Sequence, residues 1–134
     1  MDFDVFISFA SEERRAVVEP IVERLRDLGI RVWYDDTLLL IGDNLLTTIN
    51  LGLSKSRYGI IIFSPSYVLK KWTKYELSQL TTNKMHQILP VTHNLAHEDL
   101  NHYAPAIAGK RVISTREGLE RICREIVQVV KGYR

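Results

Sequence analysis

The segment Tyr58–Phe63 (YGIIIF) constrains the fold more than any other part of the chain, because it contains no polar position apart from one tyrosine hydroxyl. Such a strand is buried on both faces, which is typical of the centre of a parallel sheet covered by helices. The turn-forming run Ser64-Pro65-Ser66 ends it at once. A second run rich in aromatic and β-branched residues, Phe3–Phe9 (FDVFISF), predicts another buried strand. Together the two runs predict a parallel sheet.

Weaker strands and amphipathic helices alternate with these two runs. Further strands are predicted at Ile30–Tyr34, Gln87–Thr92 and Lys110–Ser114, with Pro90 indicating an edge strand or a bulge. Helical spacing gives buried stripes at Val18, Ile21, Val22, Leu25 and Leu28, at Leu45, Leu46, Ile49 and Leu53, and at Leu119, Ile122, Ile126 and Val130, with a short helix over residues 72–83. This order predicts one α/β domain over residues 1–134, with an open, doubly wound, five-stranded parallel sheet.

Local signals predict where the helices begin and end. Ser11 is a candidate N-cap for the first helix, and Gly29 supplies its C-terminal stop. Pro20 predicts a kink or a late start of that helix. Asp43 is a candidate cap for the second helix.

Composition excludes several classes of protein. With 134 residues, 46% of them apolar and 25% charged, the chain resembles an average globular domain and not a disordered chain or a disulfide scaffold. No apolar run reaches the roughly 18 residues that span a bilayer, and the acidic N-terminus does not resemble a signal peptide. Cys123 is the only cysteine, so we expect a buried, inert thiol and a reducing, cytoplasmic location.

The net charge of +2 gives no support for direct binding of nucleic acid. Residues 1–67 carry 7 basic and 10 acidic side chains, a charge of −3, and residues 68–134 carry 11 basic and 6 acidic side chains, a charge of +5. This asymmetry is compatible with head-to-tail packing of copies, although charge alone favours an ordinary solvated surface.

Four common types of site are absent from the sequence. The first strand is followed by S-F-A-S-E rather than G-x-G-x-x-G, and no P-loop is present. The third strand ends at Phe63-Ser64, without the aspartate that a phosphorylated receiver domain needs. His93 and His97 are four residues apart but lack the glutamate of H-E-x-x-H and lie in a predicted loop, so surface histidines and no metal site are expected.

Ligands of such sheets bind beyond the carboxyl ends of the strands. Near the third strand, Trp72 and Glu76 are spaced i and i+4, so a helix would place them on one face. An aromatic plane beside a carboxylate can stack on a flat heterocycle and face a developing positive charge. The same spacing also fits a helix with Trp72 in the core and Glu76 in solvent.

Several segments, in order and at matching spacing, resemble a Toll/interleukin-1 receptor (TIR) domain, above all those of prokaryotes. They are D-V-F-I-S-F-A-S-E, V-W-Y-D-D, I-G-D, G-L-S-K-S-R-Y-G-I-I-I-F-S-P-S-Y and K-K-W-T-K-Y-E-L, within about Asp2 to Gly132. The resemblance implies a flavodoxin-like sheet in the order 2-1-3-4-5. It also implies that the chain can be one domain of a longer protein.

The resemblance assigns roles to particular residues. Glu76 of the W-x-x-x-E element would be the catalytic glutamate. Substrate contacts would come from Phe9, Ala10, Ser11, Asp43, Ser54 and Trp72, and self-association from the loop Asp35–Asp43, here Asp35, Asp36, Leu39, Ile41 and Gly42.

The activity implied is cleavage of the nicotinamide–ribose bond of NAD⁺, which is a substrate here, with no cofactor. The product would be ADP-ribose or a cyclic isomer, and self-association, even into filaments, would activate the enzyme in bacterial defence or immune signalling. Two alternatives stay open: a non-catalytic TIR–TIR adaptor and a nucleotide-binding sensor without turnover. No membrane partner is expected.

Overall fold

A parallel sheet in the order β2-β1-β3-β4-β5 organises the computed structural model, which describes residues 2–34, 45–70 and 85–132. Its strands are β1 (Phe3–Ser8), β2 (Val32–Trp33), β3 (Ser56–Phe63), β4 (Ile88–Thr92) and β5 (Ile113–Ser114), and every pairing is parallel. β3 lies at the centre, as its apolar run predicts. The predicted fold class and strand order are confirmed.

Six helices occupy the described residues: α1 (Glu19–Asp27), α2 (Leu45–Lys55), α3 (Pro65–Lys70), α4 (His97–Tyr103), α5 (Pro105–Ala108) and α6 (Leu119–Lys131). A 3₁₀ turn (Ser11–Glu13) and a π-helical turn (Arg14–Val18) lead into α1. The helix predicted over residues 72–83 lies outside the described residues. Within the described ranges, no helix has the length and apolar character needed to cross a membrane.

Two hydrophobic layers cover the sheet. Alternate residues of β1 point to opposite faces, so Val5 and Ile7 pack with α1 and α6, whereas Phe6 packs with α2, α3 and the α4–α5 pair. On the second face, the Phe6 ring lies against Gly52 of α2 and Gly59 of β3, two positions where a β-carbon would overlap it. Helices therefore pack against both faces of the sheet.

The first helix begins differently from the predicted N-cap. Ala10 occupies the cap position without a side-chain bond, and the Ser11 hydroxyl donates instead to Glu12 Oε1 at 3.2 Å. The N-cap prediction for Ser11 is wrong because the backbone N–H of Glu13 bonds to Ala10 O, which already closes the first turn. The late start predicted from Pro20 is confirmed, because that proline lies in the first turn of α1.

The C-terminal stop at Gly29 is also confirmed. Gly29 has φ +85°, and the N–H of Ile30 donates to Leu25 O across the end of α1. Only glycine adopts this backbone conformation without strain, so the chain turns sharply into β2.

Pro90 predicted an edge strand or a bulge, and this prediction is wrong for β4. The strand pairs with β3 along its whole length and with β5 only at Val91 and Thr92. Pro90 is tolerated because pairing with β5 begins after it, where its missing N–H is not needed.

The polar stretch after β4, expected to be a loop, contains α4 and α5. Leu100 and Ile107 are fully buried and hold these short helices against the sheet. A 3₁₀ turn (Thr115–Glu117) precedes α6, and Ser114 and Glu117 form a capping box at the start of that turn. Leu119 is 38% exposed, so it does not continue the buried stripe of Ile122, Ile126 and Val130.

Cys123 is fully buried on α6, as predicted, and burial raises the pKa of its thiol from 9.0 to about 11. At pH 8 the thiol is therefore neutral and shielded. We expect alkylation by iodoacetamide to be at least about a hundredfold slower in the native protein than in denaturant. Equal rates in the two states, followed by mass spectrometry, would contradict this burial.

Candidate functional site

The carboxyl ends of β1, β3 and β4 lie side by side and form the floor of the candidate site. Ser8 pairs in register with Ile61, two residues before the end of β3, and the N–H of His93 donates to Phe63 O at 2.9 Å. Side chains that follow these strand ends are therefore neighbours although they are far apart in sequence. This edge is where parallel α/β sheets bind ligands.

Aromatic and basic side chains build one corner of this edge. The Phe9 ring lies 6.3 Å from the Tyr34 ring, and the Arg14 guanidinium lies 5.3 Å from the Phe9 centroid and 6.0 Å from the Tyr34 centroid. Arg26 lies over Tyr34 at 5.5 Å and donates to Val32 O. Cation–π contacts of this kind hold the guanidinium groups in place. Two guanidinium groups therefore lie beside the Phe9 and Tyr34 rings at this corner.

The residues of the loop after β1 have different exposures. Phe9 is only 7% exposed and Ala10 is fully buried, whereas Ser11 is exposed. Because Arg14 lies over the Phe9 ring, Phe9 forms part of a wall and does not present an open face for stacking. Glu13 is buried, and among the described residues its Oε2 has no hydrogen-bond partner.

A buried hydroxyl pair lies beneath the loop. Ser8 Oγ and the Tyr67 hydroxyl share a hydrogen bond of 2.7 Å, and the Tyr67 N–H donates to Ser64 Oγ at 3.1 Å. No sequence pattern indicated this pair, because its members are 59 residues apart. It joins the end of β1 to the start of α3.

His93, expected on the surface, is half-buried at the end of β4. Its Nδ1 lies 2.8 Å from Thr115 Oγ1, and its Nε2 lies 3.3 Å from Asn94 Nδ2. These two contacts hold the imidazole ring between the ends of β4 and β5. Within the described ranges, no three His, Cys, Asp or Glu residues are grouped as metal ligands.

The structure does not bring Ser54 to this edge. Ser54 is exposed in the last turn of α2, where its hydroxyl donates to Leu51 O at 2.6 Å. The chain enters β3 two residues later, and Ser56 pairs with Phe3 at the opposite end of the sheet. The expected ribose contact is therefore not supported by its placement.

Other predicted site residues lie outside the described residues. They are Asp35, Asp36, Leu39, Ile41, Gly42, Asp43, Trp72 and Glu76. Their assignments stay predictions.

Ser54→Ala tests the placement of that serine. We expect the rate and KM of any nucleotide cleavage to stay within about twofold of wild type, because exposed substitutions away from a site change free energies by about 0.5 kcal/mol or less. Steady-state kinetics measure the effect. A tenfold increase in KM would indicate that Ser54 contributes to substrate binding.

The chain resembles a well-defined group of proteins. A sequence model of the TIR domain family matches residues 5–126. The 2' cyclic ADP-D-ribose synthase AbTIR of Acinetobacter baumannii is 37% identical over 133 residues, which cover 96% of this chain and 49% of that protein. BtTIR of Bacteroides thetaiotaomicron, also named a 2' cyclic ADP-D-ribose synthase, is 41% identical over 116 residues, covering 84% and 40%.

A third curated relative is named for a different reaction. The NAD(+) hydrolase TcpC of Escherichia coli is 37% identical over 132 residues, covering 95% of this chain and 43% of that protein. The chain thus spans about half, or less, of the length of these curated relatives.

Solved structures share the architecture at lower identity. The TIR domains of the activated Roq1 resistosome superpose with a TM-score of 0.69 at 18% identity, covering 98% of this chain and 99% of theirs. The TIR domain of the Toll-related receptor TRR-2 from Hydra magnipapillata gives 0.66 at 20% identity, covering 96% and 98%. At such identities the likeness shows the fold alone.

Proposed function

The chain belongs to the TIR domain family, and on that premise we propose that it cleaves the nicotinamide–ribose bond of NAD⁺. The observation that carries the proposal is that relatives at 37–41% identity, matched over 84–96% of this chain, are named for NAD⁺ hydrolysis or cyclic ADP-ribose synthesis. The products would be nicotinamide and ADP-ribose, or a cyclic isomer.

The reaction needs little from the protein beyond charge and position. Nicotinamide leaves NAD⁺ as a neutral molecule, so no general acid is required. The ribose becomes an oxocarbenium-like cation, which one carboxylate can stabilise while it holds the sugar hydroxyls. We assign that role to Glu76 and packing beside the sugar or nicotinamide to Trp72.

The described corner of the site supports binding of the substrate's diphosphate. Arg14 places a guanidinium at the end of β1, where Phe9 and Tyr34 hold it. A guanidinium binds phosphate oxygens in a fixed geometry. The exposed residue Ser11 begins the adjacent 3₁₀ turn and can contact the same group.

We place self-association in the same proposal. The loop Asp35–Asp43 would contact a neighbouring copy, and the opposite charges of residues 1–67 and 68–134 would favour head-to-tail contacts. Activity per molecule would then increase with protein concentration. A role in bacterial defence stays a prediction.

The test is a concentration series. NAD⁺ consumption and products are followed by chromatography from low to high protein concentration, in water and in H₂¹⁸O. Hydrolysis places one ¹⁸O in ADP-ribose, whereas cyclisation places none in the product. Specific activity that increases with concentration supports both parts of the proposal. Constant specific activity would show that cleavage does not require assembly. If clustered protein does not turn over NAD⁺, the proposal that the chain is an enzyme is wrong.

A further inference from the structure

Tyr67 is fully buried and is hydrogen-bonded through both its backbone and its side chain. Its backbone N–H donates to Ser64 Oγ at 3.1 Å, at the end of β3, and its hydroxyl is bonded to Ser8 Oγ at 2.7 Å, at the end of β1. The ring packs edge-on against Phe63, with centroids 5.8 Å apart. Tyr67 thus spans the distance between the two central strand ends.

Packing alone does not explain the hydroxyl. The cluster around Tyr67 consists of apolar side chains, among them Phe6, Ala10, Ile61 and Val68. A phenylalanine would fill the same volume without a polar atom to satisfy. A buried hydroxyl is retained at low cost only where it is hydrogen-bonded, and this hydroxyl bonds to Ser8, the last residue of β1.

The Ser8–Tyr67 bond matters because Ser8 directly precedes the loop at the candidate site. The next three residues, Phe9, Ala10 and Ser11, form the loop at the candidate site, and Ala10 O accepts the Glu13 N–H that closes the following turn. Fixing Ser8 fixes the direction in which the chain leaves the sheet. It therefore fixes where this loop presents its backbone.

We infer that Ser8 and Tyr67 are positioning residues, whose hydrogen bond holds the 9–13 loop in the geometry that the reaction of the bound substrate requires. The effect on catalysis rests on the proposed function, whereas the effect on the loop does not. Small displacements of positioned groups cost catalysis far more than they cost stability. The pair acts through the loop and does not touch the reacting atoms.

A double-mutant cycle separates positioning from simple stabilisation. Ser8→Ala or Tyr67→Phe alone leaves one buried hydroxyl without this partner, so each single variant should melt at a lower temperature than wild type. The double variant replaces both hydroxyls by apolar groups and should recover part of that loss. All three variants lack the Ser8–Tyr67 hydrogen bond, so we expect the 9–13 loop to lose its fixed position in each of them.

Matched controls lie at the opposite end of the sheet. Ser56→Ala removes a buried hydroxyl that has no partner within the described ranges, and Tyr58→Phe removes a partly buried phenol hydroxyl on the same strand. Neither residue lies near the 9–13 loop. Both controls should match wild type in loop exchange and in turnover.

The readouts are hydrogen exchange at the amides of residues 9–13, the melting temperature, and kcat and KM for NAD⁺. We expect exchange in the loop to increase about tenfold, and kcat to fall about tenfold, in both single variants and in the double variant. Recovery of exchange and kcat in the double variant, in parallel with stability, would overturn the inference, as would unchanged loop exchange in all three. If wild type does not cleave NAD⁺, the proposed function fails, and loop exchange still decides the inference.

Discussion

Glu76→Gln is expected to lower the rate of NAD⁺ cleavage about a thousandfold, with the protein still folded. The substitution keeps the shape of the side chain and removes its negative charge. A neutral amide cannot balance the positive charge that develops on the ribose as nicotinamide leaves. Because the ground state of the substrate carries less charge at that carbon, KM should change much less than kcat.

Glu98→Gln is the matched control, because Glu98 is an exposed glutamate in the first turn of α4. It should cleave NAD⁺ at the wild-type rate. Circular dichroism and melting curves show whether each variant is folded. If the Glu76→Gln protein is folded and keeps more than a tenth of wild-type activity, Glu76 is not the catalytic residue. That result would not contradict NAD⁺ cleavage by the wild-type protein.

Gly59→Ala is expected to have the largest effect on stability, lowering the free energy of unfolding by about 1–3 kcal/mol. A β-carbon at Gly59 would lie 2.6 Å from Phe6 Cε1 and 3.2 Å from Leu53 Cδ2, well inside van der Waals contact. Phe6 cannot move away easily, because Gly52 on the other side already leaves room only for a hydrogen atom. The strand and helix must separate to admit the methyl group.

Gly109→Ala provides the comparison, since a β-carbon there would lie 3.7 Å from its nearest neighbours, an ordinary contact. That variant should unfold within about 0.5 kcal/mol of wild type in urea. Equal midpoints for Gly59→Ala and wild type would show that the Phe6 ring is not confined between the two glycines.

The sequence predicts the fold well where burial acts on long apolar runs. β1 and β3 are predictable because aromatic and β-branched residues dominate each run, and Gly29 and Pro20 mark the ends of α1 through backbone conformation alone. The strand predicted at Lys110–Ser114 exists, but β5 covers only its last two residues, because pairing with β4 sets its length. α4 and α5 were missed because α4 buries only Leu100 and α5 only Ile107 and Ala108, too few residues for a periodicity.

The site was predictable only in part. The resemblance predicts a role for the loop Phe9–Ser11 and for Glu76, but it does not show how Phe9 is covered by Arg14 or that Ser54 lies at the opposite end of the sheet. These features depend on which strand ends meet. The Ser8–Tyr67 bond likewise joins residues far apart in the chain, which a local pattern cannot reveal.

The most direct measurement of the central claim is the mass balance of NAD⁺ and nicotinamide in wild-type protein at a concentration where sedimentation shows assembly. The account predicts that NAD⁺ declines with time and that one nicotinamide appears for each NAD⁺ lost. NAD⁺ that stays constant in the assembled protein would contradict the account and leave a TIR domain that acts only through contacts with other proteins.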